Sequence, residues 1–94
     1  MPDRLSEEAI QVRLAGLPGW VRQGDELRKT FELASFPAAI AFVAHVGFLS
    51  EAAAHHPDID IRWRTVTLAL TTHDAGGLTA RDFDLAAQVD EVLR

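Results

Sequence analysis

Three stretches of the chain repeat their apolar residues at helical spacing: Ser6 to Ala15, Phe36 to His55, and Thr79 to about Leu93. Serine or threonine stands at the start of each, with Ser35 preceding the second. These residues cap helices well, because their side-chain oxygen accepts a hydrogen bond from a backbone N–H of the first turn. The pattern therefore predicts three helices, of which the second is the longest.

The apolar stripe of the long central helix is predicted from a spacing of three and four residues. It consists of Phe36, Ile40, Val43, Val46 and Leu49, widened by Phe42 and Ala53. Pro57 disfavours a helical conformation at His56, the residue before it. His55 is therefore predicted to be the last residue of this helix or its cap.

Between the helices, four short stretches alternate apolar and polar residues, as strands with one buried face do. They are Trp20 to Gln23, Glu26 to Leu33, Ile59 to Trp63 and Thr65 to Thr72. A tight polar turn, Gly24-Asp25, joins the first two strands, and a turn near Arg64 joins the last two. Strands joined in this way pair as antiparallel hairpins.

The predicted order is α-β-β-α-β-β-α, with no long crossover between strands. This order is typical of an α+β fold, in which helices cover one face of a four-stranded antiparallel sheet. We expect residues 1–94 to form a single domain. The edge strands of such a sheet need cover, and a partner subunit is a simple way to supply it.

Composition narrows the function classes. The 94 residues carry a net charge of −5, which argues against phosphate-backbone binding as the main task. The chain has no cysteine, which excludes disulfides, thiolate nucleophiles and sulfur-ligated metals, and fits a reducing cytoplasm. It has no continuous apolar run of 18 residues and no apolar signal segment after Met1, so we expect no membrane span.

Three of the four histidines lie at the ends of predicted elements, where side chains converge on clefts. They are His55, His56 and His73, whereas His45 lies in mid-helix and is expected to be structural. Each of these histidines also has a purely structural interpretation. His55 and His56 suit the end of a helix, and His73 suits a loop. The spacing contains no HxH or HExxH motif, so no metal site is predicted.

Other candidates have structural alternatives too. Glu51 precedes His55 by four residues, so it is placed to orient that ring or to stay solvated. Asp82 stands three residues after Thr79, where it suits a capping box as well as a site. Trp63 is large enough to stack on a flat ligand or to fill an edge, and Trp20 is expected to anchor the core.

Taken together, the second half of the chain resembles the signature of the pterin-4a-carbinolamine dehydratases, in the pattern Glu51-x3-His55-His56-Pro57-x5-Trp63-x9-His73-x8-Asp82. The stretch Thr71 to Thr79 is also similar to the family, as are Gly19-Trp20 and the helix that starts at Phe36. The chain departs from the family around Trp63, where Tyr is frequent and Asn flanks it in place of Ile61 and Arg64.

The resemblance implies the same fold and a specific reaction. The substrate would be 4a-hydroxytetrahydrobiopterin or a related pterin-4a-carbinolamine, which loses water to give quinonoid dihydropterin during tetrahydrobiopterin recycling. His55 and His73 would be the acid/base pair, and His56 would position the substrate and share the proton transfers. Glu51, Trp63 and Asp82 would support substrate binding. The resemblance implies no metal and no redox cofactor, since imidazoles supply the acid and the base near neutral pH.

The resemblance also implies partners. Family members pair by extending the sheet across a two-fold axis, and some stack dimers through the long helix, so a homodimer or homotetramer is predicted. An aromatic amino-acid hydroxylase would be the pathway partner. Two alternatives stay open: a non-catalytic interaction module on the same fold, and a binder of another pterin.

Overall fold

The computed structural model of the protein describes residues 3–94. Its elements are α1 (Glu7–Ala15), β1 (Val21–Gln23), β2 (Glu26–Glu32), α2 (Phe36–Ala53), β3 (Asp58–Arg62), β4 (Thr65–Leu70), a one-turn 3₁₀ helix (His73–Ala75) and α3 (Ala80–Val92). This confirms the predicted order and fold class. The capping residues Ser6, Ser35 and Thr79 also stand where the sequence predicted them.

The four strands form one antiparallel sheet in the order β1-β2-β4-β3. In its centre, Leu27, Lys29 and Phe31 of β2 lie opposite Leu70, Leu68 and Val66 of β4. These positions share one face of the sheet, which the helices cover. The other face carries polar residues such as Thr30 and Thr67, whose hydroxyl oxygens are 3.1 Å apart.

Trp20 anchors the core, as predicted, with only 3% of its surface exposed. Its indole N–H donates to both carboxylate oxygens of Asp90 at 3.1 Å, and its ring meets Phe31 edge-on. Asp90 also accepts from the ammonium group of Lys29 at 3.0 Å. This contact ties the C-terminal part of α3 to the sheet.

The apolar stripe predicted for α2 is confirmed in its middle, where Phe42 and Val46 are buried and Val43 and Leu49 pack against the core, and is wrong towards its ends. The buried residues of the helix are Ala39, Phe42, Val46 and Ser50. Phe36 and Ile40 are instead exposed, at 52% and 45%. A helix that is apolar on every side gives no clear hydrophobic direction, so the sequence could not fix which face turns inward.

The apolar character of α2 also qualifies the expectation that no segment could span a membrane. Its 18 residues have a mean hydropathy of 1.5, enough by length and composition alone for a membrane span. In this fold one side of α2 packs against α3 and β4, and 22% of its residues are buried.

Several boundaries were wrong by one or two residues, and three of these errors have a local cause. The second helix ends at Ala53 rather than at His55, because Ala54 adopts the left-handed conformation. Strand β4 ends at Leu70 rather than at Thr72, because the chain turns into the 3₁₀ helix. Trp63 lies in the β3–β4 turn with φ +57°, outside the strand to which it was assigned.

Candidate active site

Antiparallel pairing brings the three histidine-bearing positions together. Asp58, at the start of β3, lies opposite Ala69, near the end of β4. The chain just before β3 therefore lies beside the chain just after β4. Since the first holds His55 and His56 and the second holds His73, the fold itself gathers residues that are 17 or 18 positions apart.

The end of α2 sets the position of His55. Ala54 has φ 52° and ψ 41°, and its N–H donates to Glu51 O at 3.1 Å. The next N–H, that of His55, donates to Ser50 O at 3.0 Å. This pair of bonds is a Schellman motif, which turns the chain out of the helix. His55 is therefore beyond the helix, and the prediction that it ends or caps α2 is corrected.

The start of α3 supplies the partner of His55. Thr79 caps the helix, and its backbone N–H donates to Asp82 Oδ2 at 3.0 Å, which completes the predicted capping box. The other oxygen, Asp82 Oδ1, is 2.6 Å from His55 Nε2. Asp82 is fully buried and His55 is 9% exposed. Asp82 can therefore belong to the capping box and to the site at once. Its Oδ2 completes the cap, and its Oδ1 contacts His55.

Two threonines complete a buried network around this carboxylate. Thr72 Oγ1 donates to Asp82 Oδ2 at 2.9 Å and lies 2.8 Å from Thr79 Oγ1. Since the single hydroxyl hydrogen of Thr72 goes to Asp82, Thr79 must donate to Thr72. All hydrogen bonds are satisfied when Asp82 is a carboxylate and His55 carries its hydrogen on Nε2.

With Nε2 engaged, the second ring nitrogen of His55 is free for chemistry. Within residues 3–94, Nδ1 of His55 has no hydrogen-bond partner, and this part of the chain holds no buried side-chain N or O atom without one. Nδ1 must therefore be open to the cavity that His55 lines. In the neutral ring this nitrogen accepts a proton, and in the charged ring it donates one.

The cavity has a volume of about 260 Å³. It is lined by Ala54, His55, His56, Thr71, Thr72, His73, Asp74 and Arg81. Its size lies just below the usual range for small-molecule sites, about 300–1,000 Å³. A larger groove of about 450 Å³ crosses the open face of the sheet at Arg28 and Thr30, but no histidine lines it. We assign the site to the smaller cavity because acid–base chemistry needs the imidazoles.

Of the two alternatives for Glu51, pairing with His55 is wrong. Its carboxylate instead lies 3.0 Å from His56 Nε2. The reason is that His55 leaves the helix, so the i,i+4 rule no longer places it above Glu51. Both Glu51 and His56 are largely exposed, at 83% and 68% of their side chains.

The structure does not bring every candidate to the cavity. Trp63 lies at the far end of β3 and is 84% exposed. His45 lies in the middle of α2, outside the lining of the cavity. Within residues 3–94, no group of three or more His, Asp or Glu side chains is arranged to hold a metal ion.

Sequence reasoning missed several residues of the site. Thr72 and Arg81 were not singled out, although both flank a residue that was, His73 and Asp82. Their position could have indicated them. A polar residue next to a candidate site residue at the end of a helix or strand lies close to the same cleft. Ala54 could not be found in this way, because alanine carries no sign of a left-handed conformation.

Comparisons with known proteins identify the family. The profile of the pterin 4 alpha carbinolamine dehydratases matches residues 3–92. A protein of Roseiflexus sp. (strain RS-1), provisionally named pterin-4-alpha-carbinolamine dehydratase, is 69% identical over 93 residues, covering 99% of this chain and all of that protein. A protein of Chloroflexus aurantiacus with the same provisional name is 63% identical over 90 residues, covering 96% of this chain and 97% of that protein.

Solved structures agree with this assignment. The crystal structure of a transcriptional coactivator/pterin dehydratase from Brucella melitensis superimposes with a TM-score of 0.90 and 27% identity, covering 96% of this chain and 98% of that chain. A pterin dehydratase-like protein identified as a RuBisCO assembly factor in the alpha-carboxysome superimposes with a TM-score of 0.68 and 28% identity, covering 79% of this chain and 88% of that chain. The chain therefore belongs to the pterin 4 alpha carbinolamine dehydratase family.

Proposed function

We propose that this protein dehydrates 4a-hydroxytetrahydropterins, including 4a-hydroxytetrahydrobiopterin, to quinonoid dihydropterins by histidine acid–base catalysis. One observation carries the proposal: His55 is held by the buried Asp82, and its free nitrogen opens into a cavity shared with His56 and His73. The family assignment supplies the substrate class. The geometry supports the proton chemistry that this substrate needs.

The reaction removes one water molecule. The bond between C4a and the hydroxyl oxygen breaks, that oxygen takes a proton, and N5 loses its hydrogen as the C4a=N5 double bond forms. A general acid must therefore serve the leaving hydroxyl and a general base must serve N5. Each well-placed proton transfer accelerates such a step by about 10²–10⁴-fold.

The surroundings of the histidines favour particular roles. Asp82 would stabilise the imidazolium that forms when His55 takes a proton, as the buried acid of a catalytic triad does. We therefore assign the base to His55 and the acid to His73, which is exposed and can exchange its proton with water. His56, held by Glu51, would position the substrate and share the proton transfers.

The remaining candidates act indirectly in this proposal. Asp82 is a positioning residue, because it is fully buried beneath His55. Glu51 acts through His56. The protein itself needs no metal and no redox cofactor for this reaction, and the pterin is its substrate. The cytoplasmic location and the link to an aromatic amino-acid hydroxylase pathway remain predictions.

We further propose that the chain forms a dimer through the edge strand β3. All five residues of β3 are exposed, with Ile59 and Ile61 on one face of the strand and charged residues on the other. A two-fold axis at Ile61 would place Asp60 opposite Arg62 of the partner subunit. Axes at Ile59, Asp60 or Arg62 would each oppose at least one pair of like charges, which is unfavourable, whereas the axis at Ile61 opposes none.

This register would also give Trp63 a place in the site. It sets Ile59 opposite Trp63 of the partner subunit. Ile59 lies near the start of β3, which follows directly after His56 and Pro57. A tryptophan that is 84% exposed in one chain would then be covered and would border the cavity of its neighbour. The predicted role of Trp63 in substrate binding thus depends on the dimer.

The test is the rate of dehydration of freshly generated 4a-hydroxytetrahydropterin, followed by stopped-flow absorbance. We expect fast turnover by the wild type and a loss of at least about 10²-fold in His55→Ala and in His73→Ala. His45→Ala is the matched control, since His45 lies outside the cavity. A wild-type rate equal to that of buffer would overturn the proposal and favour an interaction module or a binder of another pterin.

A further inference from the structure

His73, the proposed general acid, lies on the short connection between β4 and α3, which we call the His73 loop (residues 72–78). It stands at the start of the 3₁₀ helix, and its side chain is exposed. The residues at the two ends of the loop, Thr72 and Leu78, are buried, with 3% and 2% of their surface exposed. The position of the His73 ring therefore depends on how firmly these two ends are held.

The hydrogen bonds that close the His73 loop on itself are long. In an isolated antiparallel bridge, the N–H of Thr72 donates to Gly77 O at 3.3 Å, and the N–H of Gly77 donates to Thr72 O at 3.4 Å. Backbone hydrogen bonds are usually about 2.9–3.0 Å long, so this bridge alone closes the loop weakly. Thr72 is also held through its hydroxyl by Asp82, whereas Gly77 has no side chain that could be held.

The segment before α1 supports this second end of the loop. The N–H of Leu5 donates to Leu78 O at 2.8 Å, which is shorter than either bond of the bridge. Arg4 lies directly against the neighbouring glycine, since a methyl group on Gly77 would be 2.9 Å from Arg4 Nε. Residues 4 and 5 thus lie across the C-terminal end of the His73 loop.

The side chain of Leu5 and its N–H have different tasks. Leu5 precedes the N-cap residue Ser6, and Ile10 stands at the fourth position of α1, so the two occupy the positions of a hydrophobic staple. Leu5 packs against the core cluster to which Ile10 belongs. This packing explains the side chain but does not require the N–H to donate to Leu78. It does fix Leu5 in place, so that its N–H is a rigid donor to the loop.

We propose that Leu5 is a positioning residue for His73, because its N–H holds the end of the His73 loop at Leu78. This inference rests on the proposed function, which makes His73 the acid. Leu5 lies outside the lining of the cavity and acts only through the loop. A displacement of a catalytic group by about 1 Å can cost about 10²-fold in rate, so a loop released at one end should lose much of the contribution of His73.

The first experiment compares Leu5→Pro with its matched control, Leu5→Val. Proline lacks the N–H, whereas valine keeps it and has a side chain of similar size. Stopped-flow absorbance gives kcat/KM for dehydration, and urea denaturation verifies that each variant is folded. We expect a loss of at least about tenfold in Leu5→Pro and of less than about threefold in Leu5→Val. Equal rates in the two variants would overturn the inference.

Combining Leu5→Pro with His73→Ala separates positioning from a general loss of stability. If Leu5 acts through His73, Leu5→Pro should change the rate of the His73→Ala protein by less than about twofold. In the His45→Ala protein, which keeps all residues of the cavity, Leu5→Pro should have its full effect. The same loss in the His73→Ala and His45→Ala proteins would assign Leu5 a purely structural role and overturn the inference.

Amide hydrogen exchange tests the contact without any reaction. We expect the N–H groups of residues 72–77 to exchange at least about tenfold faster in Leu5→Pro, with exchange in β2 and α2 unchanged. Unchanged exchange in the His73 loop would overturn the inference. The two proposals can therefore fail separately. A wild type that does not accelerate dehydration, but whose loop exchange depends on Leu5, would overturn the proposed function and leave the support of the loop by Leu5 in place.

Discussion

Replacing Asp82 by asparagine tests the central feature of the site, because the change keeps the shape of the side chain and removes its charge. In the native protein Asp82 Oδ2 accepts from Thr72 Oγ1 and from the N–H of Thr79. An amide can accept those two bonds only through its oxygen. Its NH₂ group must then face His55 Nε2, which lies 2.6 Å from Oδ1 in the native protein.

The asparagine should change which nitrogen of His55 carries the hydrogen. An amide nitrogen only donates, so Nε2 of His55 would have to become an acceptor and its hydrogen would move to Nδ1. Nδ1 is the nitrogen that opens into the cavity, and it would no longer be free to take a proton. We therefore expect kcat/KM for dehydration to fall by about 10²–10⁴-fold, the usual value of a well-placed base.

The stability cost should be modest by comparison. Asp82→Asn keeps the cap of α3 and loses one charge-assisted bond, so we expect the free energy of unfolding to fall by about 1–3 kcal/mol. Asp82→Ala would leave His55 Nε2 and the backbone N–H of Thr79 without their acceptor, and a loss of about 3–5 kcal/mol is expected. Urea denaturation measures both values, and stopped-flow absorbance measures the rate.

Asp90→Asn is the control for this experiment. Asp90 is also a largely buried carboxylate, with 10% of its side chain exposed, and it binds Trp20 and Lys29. We expect a comparable loss of stability with kcat/KM unchanged, because Asp90 does not touch the cavity. An Asp82→Asn enzyme within about threefold of the wild-type rate would refute the argument that Asp82 sets the tautomer of His55.

Three further predictions concern the helix end, the dimer and the N-terminal helix. Ala54→Gly should raise the free energy of unfolding by about 1 kcal/mol, since glycine adopts φ 52° without strain; an unchanged urea midpoint would contradict this. Because the chain has no cysteine, Ile61→Cys should form a disulfide-linked dimer on mild oxidation and Asp60→Cys should not, as non-reducing electrophoresis would show; the reverse result would place the two-fold axis elsewhere. The hydrogen bond from Arg22 lowers the pKa of Glu7, so this pair stabilises the fold above the ordinary pKa of Glu and the benefit disappears as pH falls through the lowered value. The stability difference between wild type and Glu7→Gln should therefore be larger near neutral pH than at about pH 3, and an equal difference at both would contradict it.

The fold was predictable because its signals are local. Ser6, Ser35 and Thr79 stand where they can cap helices, and Gly24 adopts φ 59° in the turn between β1 and β2. The prediction failed where burial is decided by tertiary packing. Along α2, both Ile40 on the exposed side and Val46 on the buried side are apolar, so hydropathy could not separate them.

The residues of the site could be predicted from the sequence, but the hydrogen bonds between them could not. Ends of elements are where side chains converge, and this rule found His55, His56 and His73. It could not find that Asp82, 27 residues away in sequence, is the partner of His55. The i,i+4 rule named Glu51 instead, because it assumes that the helix continues. One left-handed residue, Ala54, ends the helix early and redirects Glu51 to His56.

Asp82 takes part both in the cap of α3 and in the proposed catalytic site, which limits how the two can change independently. One oxygen completes the N-terminal cap of α3 and the other holds His55, so a substitution at this position alters stability and the proposed catalysis together. A variant that lost catalysis alone would therefore have to change a residue outside this buried network, such as the exposed His73, and keep Asp82 and His55. A descendant that serves only as an interaction module is then expected to retain the aspartate for its cap after losing a histidine. A substitution at Asp82 therefore reports on the fold and on the proposed dehydration at once.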